Sequence, residues 1–413
     1  MKPDFSLCIK CKGRLWCGLS YCPLIAKAEA YFKASKNIES INSGFFGSSP
    51  GIFVGHNNYP KLGFGILSPA EKTSSLEYDN PHLWSENNYN SRQIISLRSS
   101  LINSRSVENA HKSSKLVELG QEIAMAKKPV DVEISLKQKP RIKLNISSYY
   151  PPTGPTAKLK KARITENPRI SRDVEKAFYD TDLKANHALL QLYKKGYDEN
   201  FLAKVLSSGA LGIKKQRKLV PTRWSITATH DSIANALISE IKQYGFFDYS
   251  AFFSGYLGNY YLLLFFPEPY SYELFEAYMP KTSWNASEKI SYTTDYEPHS
   301  GRKSYAENCA GGFYSVRLSV AEYLKKNKKQ ASVLAIRVIT EQYAVPLGVW
   351  VTAEAARKAL KQKPLVFSSK ELLLKYAKAL IKNKFSYDIS HILEKSIILR
   401  ELRQQKKLTG FFS

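Results

Sequence analysis

Four of the five cysteines in this 413-residue chain fall within its first 22 residues, spaced Cys8-x2-Cys11-x5-Cys17-x4-Cys22. Two close pairs of thiolates can complete a tetrahedral site, and zinc is the usual occupant of a closed four-sulfur site. Lys10, Lys12 and Arg14 lie between the ligands and would offset part of the thiolate charge, while Gly13 and Gly18 permit tight turns. Two rivals stand beside zinc. One is a pair of disulfides, which an intracellular chain disfavours. The other is an iron–sulfur cluster, suggested by the Cys22-Pro23 pair. Cys309 stands apart, in Asn308-Cys309-Ala310-Gly311, and reads as a small packed residue rather than a nucleophile.

The opposite end carries a different signal. Gln405 is followed three residues later by Leu408, then by Phe411 and Phe412, with only Ser413 beyond. One tight helical turn would bring Leu408 and both rings to one side as an apolar plug, because residues three and four apart share a face. Gln405 is then left to offer its amide to a partner. All four positions match the peptide that docks on the DNA sliding clamp PCNA, glutamine-x-x-aliphatic-x-x-aromatic-aromatic. From average composition such a match arises about once in ten thousand start positions. Arg400, Arg403, Lys406 and Lys407 just upstream suit a ring that encircles DNA. The competing expectation is a tail that folds back onto its own core.

Two further constellations could do chemistry. Arg223 and Trp224, with Thr222, Ser225, Thr227, His230 and Asp231, directly follow the basic run Lys214, Lys215, Arg217, Lys218. An arginine fork beside an aromatic ring suits phosphate binding with base stacking. The alternative is a buried structural arginine with a packed tryptophan. Asp180 and Asp182 form a close acid pair that could hold a divalent ion, or could cap a helix terminus. Metalloprotease, serine-hydrolase, P-loop and dinucleotide-binding motifs are absent from the sequence.

The elements that must carry these residues read as a mixed α+β core of interleaved helices and short buried strands. An Ala- and Lys-rich helical stretch covers 24–34. Residues 43–105 are rich in Gly, Ser, Asn and Pro, with short strands such as 51–55 among loops. Residues 107–126 read as a helix with Leu116, Leu119 and Ile123 on one face, and 130–134 as a half-buried strand. A Pro-rich basic loop follows at 150–170, then helices near 173–195, 199–207 and 231–244. The apolar runs 260–266 and 332–339 read as buried strands, with helices near 313–326 and 353–361. Ser369 caps a further helix, and 388–407 is amphipathic and basic at its end. The resulting division is a four-Cys zinc module at 1–35, a core at 36–385 that admits two subdomains, and a helix with the clamp peptide at 386–413.

Charge narrows the partners. Lys plus Arg number 61 against 36 Asp plus Glu, a net charge of +25, and the pI is near 9.6. Such a balance favours polyanions through counterion release and steering. The N-terminus lacks a secretory pattern, and the longest apolar run is far short of the roughly 20 residues a membrane span needs. The expected location is therefore cytoplasmic, at the nucleoid through the clamp.

Five segments give the chain a family likeness: FVGHNNYPKLGFG (53–65), QEIAMAKKPVDVEI (121–134), LKKARITENPRISRDVEKAFYDTDLKANHALLQLY (159–193), LGIKKQRKLVPTRWSITATHDSI (211–233) and QASVLAIRVITEQYAVPLGVWVTAE (330–354). With the N-terminal cysteines and the terminal peptide, the chain resembles the archaeal Nre family of DNA-repair proteins, in its NreA type. The resemblance implies a role in repairing DNA damage together with PCNA. The combined expectation is a clamp-tethered repair factor with a zinc module and a basic, aromatic-lined DNA surface. Its rivals are an enzyme acting on nucleotides or damaged DNA, with Arg223, His230 and the two Asp residues in its site, and a scaffold without DNA affinity.

Overall fold

The computed structural model describes residues 38–70, 75–142, 153–282 and 287–404, with 284, 285 and scattered positions between 10 and 36. Cys8, Cys17, Gln405, Leu408, Phe411 and Phe412 lie outside the described residues. The chain forms two compact units. One comprises Cys22–Ile233 with Val345–Gly348, and the other Met1–Tyr21, Ala234–Ala344 and Val349–Ser413.

The first unit is built on a six-stranded sheet of order β1-β5-β6-β4-β3-β2. Its strands are β1 (Gly44–Ser49), β2 (Gly51–Val54), β3 (Lys61–Ser68), β4 (Ile102–Asn109), β5 (Val130–Leu136) and β6 (Thr156–Ile164). All neighbours run antiparallel except β4 and β6. Val130, Val132, Ile134 and Leu136 are buried and alternate with Asp131, Glu133 and Ser135, so β5 presents one apolar face, as its sequence predicts. The helix Lys115–Met125 lies close on that core. A Cβ at Gly120 would stand 2.2 Å from Cζ of Phe64, so only glycine lets the two approach so closely.

The second unit has a sheet of order β10-β9-β11-β8-β7-β12. These are β7 (Ser250–Tyr256), β8 (Asn259–Phe266), β9 (Ser271–Tyr278), β10 (Ser291–Glu297), β11 (Ser332–Ile339) and β12 (Leu365–Val366), with only β9 and β11 parallel. Helices cover both faces. Leu262, Leu264, Phe266, Leu334, Ile336 and Val338 pack with Leu373, Ala377, Ile381, Ile392 and Leu399 from the C-terminal helices. On the opposite face Phe252 and Phe265 meet Tyr323, and Tyr272 meets Phe313, both from the helix Ala310–Asn327. Burial on both faces is why β8 and β11 read as continuous apolar runs rather than alternating ones.

The mixed α and β core matches the sequence expectation, and several boundaries differ for identifiable reasons. The helix expected over 107–126 starts only after Ser114, whose hydroxyl accepts from Val117 N at 3.2 Å. Val107 instead belongs to β4 and is paired with Gly63 of β3. The loop expected over 150–170 contains β6, in which Ala157 and Leu159 point inward between exposed lysines. Proline and lysine masked its alternation. The helix expected over 173–195 is two, Arg172–Tyr179 and Ala185–Lys194. The one expected over 231–244 runs from Thr222 to Ile241, and the tail helix is broken at Ser396 into Ser390–Lys395 and Ile397–Gln404. Ser369 caps its helix as expected, accepting from Leu372 N at 3.3 Å.

Candidate nucleic-acid interface

The Thr222–Ile241 helix begins directly after Pro221, and its first turn is pinned from two sides. Thr222 Oγ1 accepts from Val54 N at 2.9 Å, and lies 3.3 Å from Ser207 Oγ, which itself donates to Val220 O. Just upstream, Leu219 N donates to Ala110 O at 2.9 Å, while Ala110 N donates to Pro60 O at 2.8 Å. A single residue, Ala110, thus ties together the turn between β2 and β3, the turn after β4, and the approach to the helix. Each of these segments contributes one ring.

Tyr59 stands at the centre. Its hydroxyl is 2.9 Å from His111 Nε2, and the two rings meet edge to face at 5.6 Å. On the other side lies Trp224, 6.3 Å from Tyr59 between centroids and inclined by 40°. Tyr59 is 43% exposed and Trp224 49%. His111 is also exposed, as are Lys61, Lys112, Lys218 and Arg223, each next to or near one of the rings in the chain. Large aromatic side chains left this open are costly unless a partner covers them. Here the segments that carry them also carry exposed cations.

The structure separates the polar residues grouped by sequence. Arg223 and Trp224 face solvent in the first helical turn, whereas Ser225, Thr229 and His230 are buried. His230 lies seven residues on from Arg223, about 10 Å along the helix axis. Lys214 and Lys215 are exposed on a short 3-10 turn. Arg217 is committed internally: its guanidinium donates to Gly212 O at 2.7 Å, Phe178 O at 2.6 Å and Asp180 O at 3.0 Å, and lies over the Phe178 ring. Partial burial lowers its pKa, against the opposing pull of Asp180. Asp180 Oδ1 in turn accepts from Asp182 N and Leu183 N, at 3.1 and 3.0 Å, closing the turn that separates two helices. That carboxylate does local capping work.

Tyr59 and His111 are the members that sequence reasoning missed. The available signal was Asn57-Asn58-Tyr59-Pro60, a turn-forming run between two strands, which exposes whatever ring it carries.

Of the N-terminal cysteines, Cys11 and Cys22 are among the described residues. Cys11 is buried, and its Sγ accepts from Trp16 N at 3.3 Å. A backbone N–H aimed at sulfur stabilises the thiolate form and so fits a metal ligand. Cys309 is buried beside Thr293, with Sγ 3.7 Å from Oγ1. Burial, reinforced by Glu276, pushes its thiol pKa well up, in keeping with a packed and unreactive residue.

Among the described residues no helix is long and apolar enough to cross a membrane. Residues 16–285 match the family model described as archaeal Nre, N-terminal, and residues 297–411 match archaeal Nre, C-terminal. The chain is 36% identical over 400 residues to the DNA repair protein NreB of Archaeoglobus fulgidus, covering 96% of this chain and 98% of that one. It is 39% identical over 381 residues to NreA of the same organism, covering 91% and 94%. Against NreA of Haloferax volcanii the identity is 34% over 330 residues, covering 78% and 79%. No solved structure matches.

Proposed function

The chain belongs to the archaeal Nre family, and from that membership we propose that it is a DNA-repair protein working in contact with DNA and held there by the sliding clamp PCNA. The relatives named as DNA repair proteins align along nearly the whole chain, which supports the repair role. The observation that carries DNA contact is the exposed ring cluster of Tyr59, His111 and Trp224, on segments that also carry the exposed Lys61, Lys112, Lys218 and Arg223. A net charge of +25 supplies the long-range attraction. Lys214 and Lys215 extend the cationic surface, while Arg217 shapes the loop that bears them.

Clamp docking rests on the spacing of Gln405, Leu408, Phe411 and Phe412. The helix leading to that peptide is firmly seated. Glu273, buried in β9, accepts from Ser396 Oγ at 2.6 Å, Ile397 N at 2.9 Å and Ile398 N at 3.2 Å. Such a carboxylate both satisfies the first N–H groups and complements the helix dipole. Cys8, Cys11, Cys17 and Cys22 would hold zinc, a closed four-thiolate site whose contribution is to folding rather than to chemistry.

Three measurements test this reading. Calorimetric titration against the cognate clamp should show binding that Phe411→Ala with Phe412→Ala abolishes; unchanged binding sinks the clamp assignment. Affinity for DNA should fall steeply with salt, because neutralising phosphates releases counterions. A chain that fails to bind DNA even at low salt leaves the surface without its proposed partner. Metal analysis should find zinc without visible absorbance, which separates it from an iron–sulfur cluster.

A further inference from the structure

We propose that Tyr59, His111 and Trp224 form a stacking platform for unpaired bases, so that the DNA taken at this site is single-stranded or locally opened rather than intact duplex. This rests on the reading that the surface contacts DNA, and it names the form of DNA involved.

In a duplex the faces of the bases are covered by their neighbours, and only edges are presented in the grooves. Reading edges calls for forked donors and acceptors. An indole offers one N–H and an otherwise apolar face, so it is poorly equipped for edges and well equipped for faces. At 6.3 Å and 40°, Tyr59 and Trp224 neither stack on nor cover one another, which leaves ring faces available. The platform is also preorganised. The Tyr59 hydroxyl is held by His111, and the turns carrying Tyr59, His111 and Trp224 are joined through the backbone of Ala110. Little ordering is left to be done when a base arrives.

Charge argues for nucleic acid over an apolar peptide. Lys61, Lys112, Lys218 and Arg223 are exposed and lie within a few residues of the rings in the chain. The nearest acid in the β4 turn, Glu108, is engaged by the hydroxyls of Ser106 and Ser114, each at 2.8 Å. Alternating rings and cations are what a flexible strand needs, with stacking for its bases and ammonium groups for its phosphates.

The test uses the full chain and fluorescence anisotropy at one fixed salt concentration, with three labelled DNAs of the same sequence: a single strand, its duplex, and a duplex with a short unpaired bubble. The single strand and the bubble should bind about tenfold tighter than the duplex. Trp224→Ala should remove about tenfold of that affinity, and Tyr59→Ala a smaller part, leaving duplex binding and the salt slope unchanged. Trp224→Phe, which keeps a ring face, should recover most of the loss. Thermal melts of each variant verify that the fold is retained. Equal affinity for all three DNAs, with Trp224→Ala silent, overturns the stacking proposal while leaving DNA contact intact. Absence of binding to any DNA at low salt overturns both, and capture of a protein through the same rings would then identify the surface as a protein interface.

Discussion

The two units use the same residue types in opposite ways. In the β7–β12 unit, Arg337 donates to Glu276 and to Asn259, and Arg317 to Glu297 and to Asn235, all deep in the fold apart from Asn235. Tyr261, Tyr270 and Tyr272 are buried beside them, and burial drives their hydroxyl pKa values far up. In the β1–β6 unit, Tyr59, Trp224 and Arg223 stand in solvent at the junction of three turns. Judged by residue type alone, the second unit holds the richer chemistry. Judged by exposure, Arg317 and Arg337 are already spent on neighbours, whereas the exposed ring cluster belongs to the first. Where a side chain's hydrogen bonds go decides its role.

The largest effect expected from this contrast concerns the second sheet as a whole. The two family models meet between residues 285 and 297, an interval that takes in the end of the connection after β9 and β10 itself. β9 has β10 on one side and β11 on the other, so a cut there strips it of both neighbours. Expressed alone, residues 1–290 should keep protected amides in β1–β6 and lose protection in β7–β9, as read by hydrogen exchange. Full protection of β8 and β9 in that fragment would break the division into units. Next in size is Arg337→Met, which leaves Glu276 buried without its ion-pair partner, with only the Tyr278 hydroxyl, among the described residues, still donating to it. The expected loss is about 3–5 kcal/mol in denaturant unfolding, and a loss near zero would mean that the pair is not buried as described.

Third comes a pH effect. Burial raises the Glu273 pKa above its ordinary 4.5, outweighing the hydrogen bonds from Ser396, Ile397 and Ile398 that pull it down. An acid with a raised folded pKa binds its proton more tightly in the folded than in the unfolded chain. Its contribution to stability is therefore present below about pH 4.5 and lost as pH rises through the folded pKa. Melting temperature measured across that window should fall with pH more steeply in the parent than in Glu273→Gln. Parallel profiles would show that folding does not raise the Glu273 pKa.

Much of this was legible in the residues. Alternation in Val130–Ile134, the strongly apolar Ser332–Ile339 run and the Ser369 cap each reflect a local rule acting alone. The misread stretches are those where tertiary pairing decides. β6 carries lysines at Lys158, Lys160 and Lys161 and follows several prolines, so only its pairing with β4 and β5 reveals a strand. The candidate surface divides the same way. Arg223 and Trp224 are neighbours in sequence and were readable as a pair. Tyr59 and His111 are separated from them by more than a hundred residues, and nothing short of the fold brings them together.

The smallest thermal effect should be at that surface itself, and its smallness is what makes it informative. Trp224 has Tyr59 as a ring neighbour, and about half of its surface is already in water. Replacing it forfeits only the buried half, so Trp224→Ala should cost about 1 kcal/mol, well below the roughly 3–5 kcal/mol of a fully buried ring. Thr222→Val, two residues from the ring in the same helical turn, is the sharper control. It removes the acceptor of Val54 N and so strands a backbone donor, at a cost of about 1–3 kcal/mol. If Trp224→Ala destabilised the chain as much as Thr222→Val does, the indole would be a structural prop for the helix start, and its exposure would no longer argue for a partner. A larger loss at Thr222 than at Trp224 assigns the first to the scaffold and frees the second for binding.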